Sequence, residues 1–300
     1  MDTTIVTHHP LSTSATLRTY LELAKLRIVL LLCFTTATAM VIAARGLPDA
    51  KIFIATLLGG SLAAAGSSAM NQYIDRDMDA RMSRTSRRPI PSGRIQPQQA
   101  LLFGIGLVVW SVVILAGLVN WLAAALALLG ALYYVGLYTI VLKRNTVVNI
   151  LIGGGAGAIP VLVGWAAVQG SLNFEAFLLF AIVFYWTPPH SWALALLVNS
   201  DYARAKVPMM PVARGEQVTR VQILLYSIQL LIITLLPVLF GTLGPIYLLA
   251  ALVLGLGLVY MSLQLLRIAT KAMARSTYKY STAYLAFLFL AMILDRLLIG

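Results

Sequence analysis

The sequence predicts an all-α integral membrane protein, with nine transmembrane helices bundled around a cavity that opens to the cytoplasmic side. Of the 300 residues, 60% are hydrophobic and 11% are charged, whereas soluble proteins are about half apolar and about one-quarter charged. Apolar runs recur along the chain at lengths near the roughly 20 residues that a helix needs to cross a bilayer. Only helices satisfy their own backbone groups in lipid at this length, so each run is expected to be helical.

The apolar runs define nine expected spans within one domain that covers residues 1–300. A polar segment at residues 1–24 precedes them, and possible half-repeats lie at about 25–141 and 146–300. In chain order, the spans are expected near 28–44, 52–72, 100–119, 121–141, 147–168, 175–198, 219–240, 245–265 and 281–299.

The basic residues are concentrated in alternate loops between the spans. All but three of the 22 Lys and Arg residues lie in the N-terminal segment or in the loops after spans two, four, six and eight. The positive-inside rule therefore places the N-terminus in the cytoplasm and the C-terminus outside, in a multi-pass protein of the inner (plasma) membrane. The three exceptions, beside the opposite ends of the spans, are Arg45, Lys51 and Arg296.

The composition also excludes several kinds of site. A single cysteine, Cys33, excludes a disulfide framework and Cys-based zinc or iron-sulfur sites. His8, His9 and His190 are too few and too scattered for a metal cluster. The net charge of +12 belongs in loops that meet water, where it orients the chain or holds anions, so no nucleic-acid partner is expected.

An acidic motif stands at the end of span two. Asn71, Asp75 and Asp79 are spaced four apart, and each step of four on a helix advances by only about 40°, so the three share one stripe. Asp77 is expected to point elsewhere. Two carboxylates about 6 Å apart repel by roughly 3 kcal/mol at an effective dielectric of 20, so the stripe requires a cation.

Two kinds of cation fit this stripe. Arginines of the same loop could form ordinary ion pairs with the acids. Alternatively, Mg²⁺ could bind, because it prefers oxygen ligands and combines one or two carboxylates with water and phosphate oxygens. The second interpretation suits a diphosphate substrate, since guanidinium groups bind phosphate oxygens. The arginines that follow in the loop are Arg84, Arg87, Arg88 and Arg94.

These motifs resemble those of a known family. The pattern Asn71-x-x-x-Asp75-x-x-x-Asp79, followed by the segment 86–94, is similar to the first aspartate-rich motif of the intramembrane UbiA-type prenyltransferases. Segments 186–195 and 201–211 resemble the branch of that family that modifies haem. The resemblance covers most of the chain. It departs at Asp201, where the second acidic motif of many members is reduced to one carboxylate.

The resemblance implies Mg²⁺-dependent transfer of a farnesyl group from farnesyl diphosphate to the 2-vinyl group of haem b. It implies that one diphosphate binds between the loops after spans two and six, with a downstream haem A synthase or terminal oxidase as a possible partner. The implied metal ligands are Asn71, Asp75, Asp79 and Asp201. The predicted catalytic residues are Asp75, Asp79, Arg87, Arg88, Lys143 and Arg204. The predicted substrate-binding residues are Asn71, Lys25, Arg27, Arg94, Asn149, His190, Asp201, Tyr202 and Lys206.

Several alternatives stay open at this point. The chain could prenylate an aromatic quinone precursor, or it could transport an organic anion or haem. His190 could ligate haem iron or form a hydrogen bond across the bundle. The run of small residues at 153–157 lacks the ending of a phosphate-binding P-loop, so close helix packing is its favoured interpretation.

Overall fold

The computed structural model describes residues 13–299, and every regular element within that range is helical. The expected all-α class is therefore confirmed. The helices, in chain order, are α1 (Thr13–Ala24), α2 (Leu26–Ala44), α3 (Ala50–Ile74), α4 (Arg76–Asp79), α5 (Pro97–Leu118), α6 (Trp121–Leu132), a π-helix that continues α6 (Tyr133–Leu142), α7 (Asn149–Gly153), α8 (Gly155–Gln169), α9 (Phe174–Leu197), α10 (Asn199–Arg204), α11 (Met210–Arg214), α12 (Glu216–Leu239), α13 (Pro245–Ile268) and α14 (Lys271–Leu298). His8 and His9 lie outside the described residues.

Eight helical segments in the described range are long and apolar enough to cross a membrane. They are α2, α3, α5, α6 with its π-helix, α7 with α8, α12, α13 and α14. The helix α9 is also long, at 24 residues, but the polar and aromatic stretch from Tyr185 to Ser191 lowers its apolar character. A count of nine spans therefore stays a prediction.

The helix ends lie within three residues of the expected span ends, except at the start of the last helix. The second span continues to Ile74, so the acidic motif lies at the end of a continuous helix. The fifth is divided at Gly154 into α7 and α8. The last helix begins at Lys271, ten residues before the expected span, because the polar segment that precedes the apolar run is helical as well. Four helices begin with a side chain that accepts hydrogen bonds from backbone N–H groups of the first turn. For α3, α6, α9 and α14, these capping residues are Asp49, Asn120, Asn173 and Thr270, respectively.

The largest of four buried apolar clusters in the described range lies at the centre of the bundle. It forms where α2, α6, α8, α9, α13 and α14 meet, with the fully buried rings of Tyr247, Tyr284 and Phe289 among its members. The helix α2 packs on α8, α9 packs on α12 and α14, and α3 packs on α5. This arrangement leaves a cavity between α2, α3, α6, α8 and α9.

The α3–α5 contact depends on two glycines that face each other. A Cβ on Gly66 would lie 2.5 Å from the carbonyl oxygen of Gly104, and one on Gly104 would lie 2.8 Å from that of Gly66. These oxygens belong to the backbone, so neither helix can yield without moving away from the other. Small residues at such positions allow the backbones of membrane helices to approach closely.

We therefore expect Gly104→Ala to lower the free energy of unfolding by about 1–3 kcal/mol, the usual cost of overpacking. The measurement is unfolding of the purified protein in detergent. Gly106→Ala is the matched control, because a Cβ at Gly106, two residues away on the same helix, meets nothing within 4 Å. Equal stability of the two variants would contradict the assigned role of the close contact.

Candidate functional site

Three oxygen-bearing side chains converge where α3 ends. Asp75 follows the last residue of α3 and Asp79 ends the short helix α4. Asn71, Asp75 and Asp79 are 2%, 0% and 1% exposed, whereas the side chain of Asp77 is 52% exposed. The four-residue spacing therefore places three buried groups on one side of the chain, and Asp77 points away as expected.

Each buried carboxylate has a cation of the protein beside it. The Lys143 ammonium donates a very short hydrogen bond to Asp75 Oδ2, and Arg88 Nη1 donates to Asp79 Oδ2 at 2.7 Å. Asn71 Nδ2 also donates to Asp75 Oδ2, at 2.8 Å. In this structure, basic side chains balance the charge on the acids. This is one of the two kinds of cation, side chain or Mg²⁺, that fit the acidic motif.

The π-helix brings further polar groups to the same place. Its wider turns let the backbone N–H of Lys143 donate to the carbonyl of Tyr138, five residues earlier. Thr139 Oγ1 accepts a 3.1 Å hydrogen bond from Asn71 Nδ2 and donates to the Tyr134 carbonyl at 2.8 Å. The local geometry thus connects the end of the fourth span to the acidic motif.

Asp77 and Arg144 form a separate, more exposed pair next to these groups. Arg144 donates to both carboxylate oxygens of Asp77, at 2.9 and 3.2 Å. This hydrogen bonding lowers the pKa of Asp77 below its ordinary value and raises that of Arg144. Arg81 is 3.9 Å from Asp77, so the expected pairing one turn along the helix is also present.

Asp201 connects the loops after spans two and six. It is 4% exposed, and its oxygens accept hydrogen bonds from the Ser83 hydroxyl at 2.8 and 2.9 Å. Arg204 donates to it as well. Burial opposes ionisation, but the hydrogen bonds from Ser83 and Arg204 prevail and lower the pKa of Asp201. Within residues 13–299, no three His, Cys, Asp or Glu side chains are grouped as a metal site, so Asp201 does not join Asp75 and Asp79 in one cluster.

The oxygen donors at the end of α3 nevertheless suit Mg²⁺ in kind. Asp75 Oδ1 is buried and accepts no hydrogen bond, although the Arg144 guanidinium is 3.6 Å away. Two carboxylates and an amide oxygen match what a protein usually offers Mg²⁺, which completes its shell with water and phosphate oxygens. A metal site here would therefore rely on a phosphorylated ligand for several of its oxygens.

A basic pocket opens beside the carboxylates. It measures about 290 Å³ and is lined by Lys25, Arg84, Arg87 and Arg88, together with Glu22, Gln72 and Pro89. Lys25 Nζ donates to Asn71 Oδ1 at 3.1 Å. Burial, and then the charges of Arg88 and Lys143, lower the pKa of the Lys25 ammonium to about 7. This concentration of positive charge is suited to a polyanion.

A larger apolar cavity shares Lys25 with the basic pocket. Its volume is about 380 Å³. Tyr134 and Tyr138 border the larger cavity on the π-helix, and Trp186 and His190 border it on α9. The two spaces together could accept a molecule with an anionic head and a long apolar tail.

The small residues at 153–157 have two structural roles. A Cβ at Gly153, Gly154 or Gly155 would lie 2.3 to 2.9 Å from Tyr138, Thr187 or Tyr133. These three glycines therefore permit close helix packing, in agreement with the favoured interpretation. Gly157 differs, because its Cβ would meet nothing within 4 Å and it lines the apolar cavity.

The other predicted site residues differ in position. Arg94 donates to Glu22 at 2.6 Å and to the Arg87 carbonyl at 2.8 Å, so it joins the loop to α1. Asn149 is fully buried and its Oδ1 lacks a hydrogen-bond partner. Tyr202 is buried, whereas Arg27 and Lys206 are exposed. Five further residues could not be assigned from sequence spacing, because only the fold brings them to the acidic motif, to Asp201 or to the apolar cavity: Thr139, Arg144, Ser83, Tyr134 and Tyr138.

Comparisons with known proteins agree with this geometry. The UbiA prenyltransferase family matches residues 32–293. A protoheme IX farnesyltransferase of Roseiflexus sp. (strain RS-1) is 54% identical over 93% of this chain and 52% of its own length. One from Gloeobacter violaceus is 50% identical over 95% of this chain and 93% of its own length. The chain spans about half the length of the first curated relatives that it matches.

Solved structures with this fold are more distant in sequence. A digeranylgeranylglyceryl phosphate synthase superimposes with a TM-score of 0.77 at 20% identity, over 93% of this chain and 98% of that chain. A UbiA homologue from Archaeoglobus fulgidus, bound to GPP and Mg²⁺, has a TM-score of 0.63 at 16% identity, over 91% of this chain and 99% of that chain. At these identities the similarity shows the fold.

Proposed function

Because this chain belongs to the UbiA prenyltransferase family, we propose that it transfers a farnesyl group from farnesyl diphosphate to the 2-vinyl group of haem b. The products are haem O and diphosphate. The choice of haem follows the relatives at about half identity, each of which bears the name protoheme IX farnesyltransferase. Eight apolar helices support a multi-pass membrane location. The basic end of the bundle is proposed to face the cytoplasm, following the positive-inside rule.

One observation supports this proposal most strongly, namely that Lys25 lines both the basic pocket and the apolar cavity. A prenyl diphosphate has this same division, with a charged head and an apolar tail. The buried acids Asp75 and Asp79 lie beside the head position. A transporter of organic anions would gain nothing from carboxylates at its mouth.

The chain's own residues have distinct tasks in the proposed reaction. Asp75 and Asp79, with Asn71, would hold Mg²⁺, whereas Asp201, which the resemblance implied as a fourth ligand, is bonded to Ser83 and Arg204 in the neighbouring loop. The ion would neutralise charge on the departing diphosphate. Arg88 and Lys143 contact the acids and would donate to phosphate oxygens beside them, as would Arg87, which lines the basic pocket. Arg204 pairs with Asp201 and would act from the neighbouring loop. Donors aimed at charge that develops during bond breaking lower the barrier.

The apolar cavity protects the reactive carbon. Breaking the bond between C1 and the diphosphate oxygen leaves an allylic cation, which water would quench if the tail lay in solvent. The vinyl π electrons of haem form the new bond to C1, and the positive charge moves to the porphyrin-side carbon. Water adds there and loses a proton, which leaves a hydroxyethylfarnesyl group.

The test of this function is a reaction with purified protein in detergent. Haem b, farnesyl diphosphate and Mg²⁺ are supplied, and haem products are analysed by mass spectrometry while released diphosphate is measured. The expected result is a haem heavier by the hydroxyethylfarnesyl group, with one diphosphate per product. Turnover of an aromatic quinone precursor in place of haem, or no prenyl transfer at all, would contradict the proposal.

The low pKa of Lys25, about 7, predicts a pH dependence of diphosphate binding. In the free protein, the Lys25 ammonium loses its charge above pH 7, whereas a bound diphosphate would keep Lys25 protonated. Affinity for a non-reactive farnesyl diphosphate analogue should therefore fall as pH rises above 7, by up to about tenfold per unit. Calorimetry in buffers of different ionisation enthalpy would detect the accompanying proton uptake.

Lys25→Arg provides the control for this prediction. Its guanidinium stays charged throughout the range, so binding should lose this component of the pH dependence and the associated proton uptake. Identical pH profiles for the two proteins would show that another group controls binding.

A further inference from the structure

The imidazole of His190 is held rigidly in the wall of the apolar cavity. It stacks against the Trp186 ring, with centroids 4.3 Å apart and planes at 23°. The Tyr278 ring covers it at 4.7 Å, and its Nδ1 is 2.9 Å from the hydroxyl of Ser281. The ring therefore joins α9 to α14 and has little freedom to rotate.

The hydrogen bonds around Ser281 determine which ring nitrogen carries the proton. Ser281 Oγ donates its single hydrogen to the Tyr278 carbonyl at 2.8 Å. With its hydrogen directed to that carbonyl, the hydroxyl is able to accept from His190 Nδ1 at 2.9 Å. This arrangement favours the tautomer with the proton on Nδ1 and the lone pair on Nε2.

Further contacts hold the serine in place. The Trp186 indole Nε1 donates to the Ser281 carbonyl at 2.7 Å, so the residue that stacks on His190 also anchors the backbone of its partner. His190 Nε2 makes no hydrogen bond to any residue between 13 and 299, and His190 lines the cavity. An oriented lone pair in a mainly apolar cavity is available to an electrophilic partner.

We infer that His190 Nε2 is an axial ligand of the haem iron in the substrate complex, and that Ser281 is the positioning residue that sets its tautomer. Metal-binding histidines almost always donate their second N–H to an oxygen, and imidazole is a common ligand of haem iron. This inference rests on the proposed function, because it takes haem as the substrate. Iron ligation would fix the depth of the porphyrin in the cavity before the vinyl group reacts.

The test measures haem binding rather than turnover. Haem b is titrated into the full chain in detergent, and the Soret band and its magnetic circular dichroism report the axial ligand. His190→Ala should lose the histidine-ligated spectrum and bind haem more than about tenfold more weakly. Added imidazole should restore the spectrum, which a merely structural role for the side chain would not produce.

A pair of serine variants tests the positioning role. Ser281→Ala should weaken haem binding by about tenfold, the low end of losses for outer-shell partners of metal ligands. Ser262→Ala is the control, because Ser262 is equally buried but bonds to Ser227 and Leu258, away from the cavity. Equal haem affinity of both serine variants would overturn the role of Ser281.

Binding of a farnesyl diphosphate analogue confirms that each variant is folded. If the unaltered protein farnesylates haem while His190→Ala keeps the same spectrum and affinity, the ligand assignment fails and the proposed function stands. If the unaltered protein binds no haem, the proposed substrate and this inference fail together.

Discussion

Asp75→Asn and Asp79→Asn are each expected to reduce farnesyl transfer by about 10²- to 10³-fold, the usual cost of losing a group that stabilises developing charge. Both residues are at most 1% exposed. The amide is nearly the same size as the carboxylate, so packing is preserved. It removes the negative charge that a divalent cation needs and leaves Lys143 or Arg88 without its counter-ion. Initial rates with saturating haem and farnesyl diphosphate are the measurement.

Asp77→Asn is the matched control for this pair. Asp77 stands between the two acids in the chain, but its side chain is 52% exposed and its partner is Arg144. A surface ion pair contributes about 0–1 kcal/mol, so turnover should stay close to that of the unaltered protein. Full turnover in Asp75→Asn or Asp79→Asn, or turnover that survives excess chelator, would remove the metal role from these carboxylates.

Gly157→Leu is expected to abolish farnesyl transfer while the protein remains folded. Gly157 lines the apolar cavity, and a Cβ there meets nothing within 4 Å. Because a Cβ has room there, a leucine side chain would extend into the space that the prenyl tail needs. Affinity for farnesyl diphosphate should fall by at least about 10-fold, whereas dimethylallyl diphosphate, whose tail is shorter, should still bind.

Gly117→Leu adds the same side chain elsewhere. Gly117 is on the exposed face of α5 and a Cβ there also meets nothing within 4 Å, so this variant controls for helix propensity and added hydrophobicity. Competition binding with the two diphosphates measures the selectivity of each protein. Equal loss of both diphosphates in Gly157→Leu would indicate general damage to the site rather than a blocked tail cavity.

The sequence was most informative where the periodicity of the helix alone determines which side chains lie together. The spacing of Asn71, Asp75 and Asp79 placed them together and Asp77 apart because all four belong to neighbouring helical turns. The apolar runs similarly predicted most helix positions, since a bilayer demands about 20 residues per crossing. The ends of α9 were also predicted to within one residue, although the paired prolines and His190 at its centre lower its apolar character.

The missing parts of the site depend on packing between distant segments. Nothing in the composition of the fourth span marks a π-helix at Tyr133–Leu142, yet that helix brings Thr139 to Asn71. Ser83 lies 118 residues from its partner Asp201. Sequence spacing also shows which residues could be cations for the acids, but not that Lys143, rather than a nearer arginine, pairs with Asp75.

The internal ion pairs have a thermodynamic consequence for how ligands enter. A bare dication that approaches Asp75 and Asp79 must compete with Lys143 and Arg88, and a bare diphosphate that approaches those cations must compete with the acids. When both arrive, the four protein charges exchange partners and none is left uncompensated. Metal and diphosphate should therefore show positive heterotropic cooperativity, and each must raise the affinity for the other by the same factor.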